Sequence, residues 1–364
     1  MMANPSWLEV DRGQGTQPAR PTLASNPAIV VAGAGSVGCY IGGCLALAGR
    51  DVTLLLREPL AAALARHGLR ILDLDRNDRT LAPSALKLTA SPDSALRDAD
   101  IILVTVKSGA TATIAREIAD YANSDAVVVS LQNGVDNVEV LSAALRGSHP
   151  VVAGMVPFNI VQTRAEGEPP RFLRATSGTI RIASGCPGLR EALNVEGAPV
   201  AEHKDMTAVL WGKLVINLNN ALNGLSGLTL SAELGDRRWR LLLAKQIDEA
   251  LALLGAAGIR PAPIEGMPPR LFAYALRLPD WLYRLVARGM VAIDPEARSS
   301  LWDDLEARRP TEIDHLQGAV LQLGRALGLE APLNAHVAAL VKEAERAGHG
   351  SPKLSPEAVA ATPE

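Results

Sequence analysis

The sequence predicts an α/β domain built on a mostly parallel sheet, followed by a domain that is all α. Three observations carry that reading. Residues 28–57 run apolar strand, glycine turn, apolar helix, strand. Short buried-looking strands then recur between helical segments, among them Ile101, Ile102, Leu103, Val104 and Val127, Val128, Val129. From about residue 200 to residue 347 almost only helical periodicity is found.

The glycine turn organises the first domain. Gly33, Ala34, Gly35, Ser36, Val37 and Gly38 stand between the first strand and its helix. Gly33 suits a tight turn, Gly35 lets backbone approach a pyrophosphate with no Cβ in the way, and Gly38 lets helix and strand pack closely. Free N–H groups and the dipole at the helix start favour phosphate charge. This is a Rossmann-type dinucleotide site; the bland alternative is a turn that is merely glycine-rich. The second strand ends at Leu56 and Arg57, with Glu58 one residue later. An NAD site puts Asp or Glu at that strand end for the ribose 2′-OH. Arg57 offers a planar fork to a 2′-phosphate instead, so NADP(H) is the expected cofactor. The competing reading is a solvated Arg57 with Glu58 reading the ribose.

Residues 60–67 read as a short helix closed by Gly68, residues 69–88 as extra strands, and residues 93–97 as a short helix. Residues 99–107 form a buried strand ending in Lys107, residues 111–121 a helix, and residues 126–131 a strand ending at Gln132, Asn133 and Gly134. Ligands of open α/β sheets sit beyond the carboxyl ends of the strands, which makes Lys107 and Asn133 candidates. A solvated strand end and a turn residue are their bland alternatives. Residues 151–162 and 172–183 read as a hairpin or meander extending the sheet.

In the second domain residues 205–223 read as one helix. Lys213, Asn217 and Asn220 share a face of it, flanked by Leu214, Val215, Ile216 and Leu218. Buried polar groups need partners, so this row is either a hydrogen-bond ladder between domains or a substrate site with Lys213 as acid. Residues 231–255 read as a long helix with Arg237, Arg238 and Arg240 as a charged patch near its start. Residues 300–308, 311–327 and 333–347 complete the helices. The expected division is a flexible leader over 1–26, a nucleotide domain over 27–200, a helical domain over 201–347 and a loose tail over 348–364.

Composition narrows the function. The 364 residues carry a net charge of -3 and 3% aromatics, which argues against nucleic-acid partners and base-stacking surfaces. No uncharged apolar run reaches membrane-spanning length, so no membrane partner is expected. Cys39, Cys44 and Cys186 make no disulfide pattern and the six histidines no ligand spacing. No metal and a cytoplasmic location are therefore expected.

The motifs in order resemble those of the ketopantoate reductase (2-dehydropantoate 2-reductase) family. GAGSVG stands near the start, Val106-Lys107 closes a strand, and Leu131-Gln132-Asn133-Gly134 closes the next. Trp211-Gly212-Lys213 with Asn217 follows, then Ser299-Ser300, then Thr311-Glu312-Ile313-Asp314. The likeness spans about residues 28–345. It implies NADPH-dependent reduction of ketopantoate to pantoate, on the route to pantothenate and coenzyme A. It also implies a helical domain like the C-terminal domain of 6-phosphogluconate dehydrogenase. Lys213 falls on the family's proton donor and Asn217 and Ser300 on substrate-binding positions. Glu312 falls on an active-site glutamate contacting the cofactor, and Asn133 on an asparagine near nicotinamide and substrate. Lys107 and Arg57 fall on cofactor-binding positions.

Ordinary chemistry agrees. Hydride addition to a ketone leaves an alkoxide, which needs a cation and a proton. Lys213 offers both; burial lowers its pKa and a nearby Glu312 opposes that. The bland readings are a helix N-cap for Ser300 and a first-turn acid for Glu312. Three departures stand out, one of them a further family asparagine that falls near Leu230 or Ser231, where this chain has none. The family pattern puts an asparagine eight residues after the lysine, where this chain has Ala221; Asn220, one residue earlier, is the substitute. Residues 261–297 read as an insertion holding Phe272, Tyr274, Trp281 and Tyr283, with Arg270, Arg277 and Arg284 every seven residues. It is expected to reshape substrate access, against the plain alternative of an added helix pair. The substrate is expected in the cleft between domains. The expected partner is a small-molecule 2-oxo acid, with a homodimer left open. Rival readings are reduction of another 2-oxo acid or an imine, and a catalytically silent NADP-binding sensor.

Overall fold

The computed structural model describes residues 23–75, 77–263, 266–287 and 297–361. Residues 1–22 of the expected leader, residues 264–265 and 288–296 of the insertion, and residues 362–364 lie outside them. The chain divides into two compact units that change over between Met206 and Thr207.

The first unit runs β1 (Ile29–Ala32), α1 (Ser36–Leu47), β2 (Val52–Leu55), α2 (Glu58–His67), β3 (Leu69–Leu72), β4 (Asp78–Leu81), β5 (Lys87–Thr89), α3 (Pro92–Leu96), β6 (Ile101–Val104) and α4 (Thr111–Tyr121). It continues through β7 (Val127–Ser130), α5 (Asn137–Leu145), β8 (Val151–Met155), β9 (Ile160–Thr163), β10 (Arg171–Arg174), β11 (Ile180–Ala183), α6 (Leu189–Leu193) and β12 (Val200–His203). The main sheet has the order β12-β11-β8-β7-β6-β1-β2-β5. All its pairings are parallel except β8 with β11. The central strands β1, β6 and β7 are buried throughout, and successive residues serve opposite faces. Val31, Leu103 and Val129 join one apolar cluster while Val30, Ile102 and Val128 join the other. Both faces are covered, which is why these strands read as unbroken apolar runs.

The hairpin expected to extend the sheet is corrected. Strands β8 and β11 do extend it, but β9 and β10 pair with β3 and β4 in a separate sheet of order β4-β3-β10-β9. That sheet lies on α1. The physical reason is in the helix. A Cβ on Gly42 would come within 2.5 Å of Leu54 Cδ2, on the main sheet, and one on Gly43 within 2.3 Å of Ile71 Cδ1, on the second. Two adjacent glycines thus let one helix be gripped from both sides. Periodicity also left α5, α6 and β12 unread.

The second unit runs α7 (Met206–Asn217), α8 (Asn219–Ser226), α9 (Leu230–Gly235), α10 (Arg237–Ala256), α11 (Pro269–Leu276), α12 (Asp280–Ala287), α13 (Ser300–Glu306), α14 (Gln317–Leu327), α15 (Pro332–Ala347) and α16 (Pro356–Ala360). The helix expected over 205–223 is interrupted at Leu218, whose carbonyl accepts from buried Gln317 Nε2 at 2.9 Å. The helix expected over 231–255 breaks at Asp236, which caps α10 by accepting from Arg238 N–H at 2.9 Å. Residues 311–327 begin as a short 3₁₀ turn over Ile313–His315. The loose tail is corrected as far as residue 361. Gly348, at φ +64°, ends α15 and turns the chain back. Ser351 N–H then donates to Glu306 and Leu354 N–H to the Leu225 carbonyl, and Val359 of α16 is fully buried.

The arginine patch is corrected as well. Arg240 is fully buried. Its guanidinium donates to the carbonyls of Leu234, Gly235, Leu276 and Leu278 and to Asp280, and stacks 4.2 Å over the Tyr283 ring. A planar five-donor group can be buried when carbonyls meet its protons. In the insertion, α11 packs on α10, and Arg277 pairs with Asp248.

Candidate active site

The candidate residues fall into two sets, one per unit. In the first unit the turn after β1 is fixed by backbone: Gly33 and Ala34 N–H groups both donate to the Leu55 carbonyl at 3.0 Å. Gly33 has φ +80°, and a Cβ there would lie 2.1 Å from Val106 Cγ1. Thr105 Oγ1 donates to the Gly33 carbonyl at 3.0 Å. Gly38 is tight against Thr105 and Val31, whereas Gly35 is exposed and a Cβ there would meet nothing nearer than the Gly33 carbonyl oxygen at 3.9 Å. The open glycine is the one at which a ligand needs room. Helix α1 also lacks the side-chain cap found on α3, α9, α10, α13 and α16. Among the described residues no side chain takes up its first-turn N–H groups. Ser36 Oγ donates to Gln162 Oε1 at 3.1 Å, a neighbour on β9 that sequence reasoning missed.

Arg57 stands at the N-cap of α2, two residues past β2, and is exposed, as is Glu58. Lys107 is exposed beyond β6, and Asn133 is half-buried beyond β7. The two loops are tied by a buried amide network. Ser108 Oγ and Asn137 Nδ2 both donate to the Asn133 carbonyl, at 2.9 and 2.5 Å. Thr111 Oγ1 donates to Asn137 Oδ1 at 2.7 Å, and Gln132 Nε2 to the Val106 carbonyl at 3.0 Å. Asn137, Ser108 and Thr111 were not read from the sequence; Asn137, one helical turn after Asn133, was the available signal.

In the second unit Lys213 and Asn217 lie one turn apart on α7. Asn220 belongs to α8, beyond the interruption, so the polar row spans two helices rather than one. Gly212 explains its place in the motif: a Cβ there would lie 2.3 Å from the Ala262 carbonyl oxygen. Lys213 is half-buried and keeps some solvent contact. Enough protein still surrounds the ammonium that burial pulls its pKa from 10.5 down to about 8, with Glu312 opposing the shift. Glu312 is half-buried at the start of the 3₁₀ turn. The N-cap of α13 is Ser299, which accepts from Trp302 N–H at 3.1 Å; Ser300 is the exposed first helical residue. The bland reading of Ser300 as the cap therefore belongs to its neighbour. Ala221 is fully buried.

A parallel-sheet unit with an open glycine turn is thus joined in sequence to a helical unit that carries the half-buried Lys213. The family described as "Ketopantoate reductase PanE/ApbA" matches residues 29–185, and "Ketopantoate reductase PanE/ApbA C terminal" matches residues 205–345. A 2-dehydropantoate 2-reductase of Halobacterium salinarum is 27% identical, over 88% of this chain and 99% of its own length. The crystal structure of a PanE/ApbA family ketopantoate reductase from Ralstonia eutropha JMP134 is 28% identical with a TM-score of 0.73, over 88% of this chain and 99% of that one. A D-mandelate dehydrogenase solved with NADH and anilino(oxo)acetate shares the fold at 19% identity and a TM-score of 0.69, over 88% and 99%. The chain belongs to the ketopantoate reductase family, and it is an oxidoreductase.

Proposed function

We propose that this protein reduces 2-dehydropantoate to pantoate with NADPH, in the cytoplasm, with Lys213 as proton donor. The observation that carries the reading is the Lys213 ammonium, drawn toward neutrality by burial, on one helix with Asn217 and within the field of Glu312. The first unit suits a dinucleotide at the open Gly35, at the uncapped start of α1 and at Arg57, whose fork fits a 2′-phosphate. The bound dinucleotide supplies the hydride. Lys213 then stabilises the negative oxygen left on the former ketone and donates its proton to it. A pKa about 8 leaves the ammonium charged at pH 7 yet makes it a better acid than an ordinary lysine. Asn217, Asn220 and Ser300 hold the carboxylate and hydroxyl oxygens, and Asn133 and Lys107 orient the cofactor.

A second reading is kept because Ala221 replaces an amide of the family pattern: the substrate is a different 2-oxo acid. Steady-state NADPH oxidation against a panel of 2-oxo acids decides. Preference for 2-dehydropantoate supports the first reading and preference for another acid the second. No turnover with intact NADPH binding leaves a nucleotide sensor and overturns both. Lys213→Ala is expected to lower kcat by about 10²–10⁴ while sparing NADPH affinity; near-normal turnover would remove its catalytic role.

A further inference from the structure

Glu233 of α9 is an acid with no exposed surface and no part in the mechanism above. Its partners are amides. Asn223 Nδ2 donates to Oε2 at 2.6 Å, and the Asn219 amide is a second influence on the carboxyl. Among the described residues Oε1 has no partner, and neither does Asn219 Oδ1. Among the described residues its charged and titratable neighbours include the Tyr283 phenol and, stacked on that ring, Arg240, which is engaged by carbonyls and Asp280. Burial pushes the carboxyl up to about 8, so it is neutral at pH 7. A neutral carboxyl carries an O–H, which supplies a donor to a region that otherwise holds two unanswered acceptors.

From Glu233 the bonds lead to the segments that carry two substrate-contact candidates. Asn223, also fully buried, accepts from Ser299 N–H at 2.9 Å through Oδ1 and donates to the Leu228 carbonyl at 2.8 Å. Ser299 Oγ donates to the Asn220 carbonyl at 3.1 Å while capping α13. Leu230 N–H donates to the Ala297 carbonyl at 2.9 Å. Gly224 brings α8 so close to α13 that a Cβ would lie 2.4 Å from Leu301 Cδ2. Three helices are thus fastened around one amide.

We propose that Glu233 is a positioning residue: through Asn223 it fixes Ser299, and so sets Ser300 and Asn220 where they hold the 2-oxo acid. The proposal rests on the reading of Ser300 and Asn220 given above. A neutral carboxyl holds one donor and one acceptor at fixed directions, which an apolar side chain cannot do.

The full-length enzyme, assayed with NADPH and its best 2-oxo acid, tests this. Glu233→Gln keeps one acceptor and one donor, Glu233→Ala removes both, and Asn223→Asp turns the donor facing Glu233 into an acceptor. Glu233→Gln is expected to keep KM for the oxo acid within about twofold, while Glu233→Ala and Asn223→Asp raise it about tenfold or more with NADPH affinity unchanged. Lowered Tm with unchanged KM in Glu233→Ala and Asn223→Asp would make the role purely structural and overturn the proposal. So would a Glu233→Gln as impaired as Glu233→Ala. Should Glu233→Ala not fold, Asn223→Asp set against Glu233→Gln decides alone. The functional reading fails separately: wild type would turn over no 2-oxo acid, or Ser300→Ala would leave KM untouched.

Discussion

Lys213 and Glu312 set a pH dependence whose sign can be worked out. Lys213 has a proton to give below its pKa and none above it, so reduction should decline as pH rises through about 8. Glu312 holds the lysine proton on, against the burial that drives it off. Glu312→Gln therefore should move the basic limb of the kcat profile to lower pH. A limb that stays in place would separate the two residues. Arg57 carries the cofactor choice at the same scale. Its fork stands two residues past β2, exposed, without the acid that would read a ribose hydroxyl from that position. Arg57→Ala should weaken NADPH relative to NADH about ten- to a hundredfold, the value of a charge-assisted bond, measured by fluorescence titration of both nucleotides. An unchanged ratio would return the reading to Glu58.

Elements show why part of this molecule was legible in the sequence and part was not. The GAGSVG turn, the runs at β6 and β7, and α4 are local: period, glycine spacing and burial on both faces point one way. The pairing of β9 and β10 with β3 instead of the main sheet is not local. It depends on Gly42 and Gly43, whose meaning lies in what stands 2.5 and 2.3 Å from an absent Cβ. Gly43→Val should accordingly unseat β3 from α1 and lower Tm by several degrees or abolish folding, read by thermal melts. Gly49, with φ +76° but nothing near it, is the control: Gly49→Asn should cost far less. The breaks at Leu218 and Asp236 were hidden for a related reason. Apolar spacing continues through both, and the interruptions are held by Gln317 on the Leu218 carbonyl and by the Asp236 cap. Of the candidate site, Lys213, Asn217 and Glu312 were readable as motif residues. Asn137, Ser108, Asn223 and Glu233 were not, because a buried amide shows its purpose only through its partners.

For the whole molecule, the two family matches fall one on each unit, and each unit buries a core of its own. The first closes on Val31, Leu103 and Val129, the second on fully buried residues such as Ile247, Val320 and Val337. Two such units can unfold in separate steps, so calorimetry should resolve more than one transition. The proposed cofactor contacts Gly33 to Gly38, Arg57, Lys107 and Asn133 belong to the first unit. NADPH at about a hundred times its Kd stabilises what it binds by about 2.7 kcal/mol. The transition of the first unit should therefore rise with NADPH, and Arg57→Ala should reduce that rise. A first-unit transition indifferent to NADPH in the wild type would take the cofactor off the glycine turn.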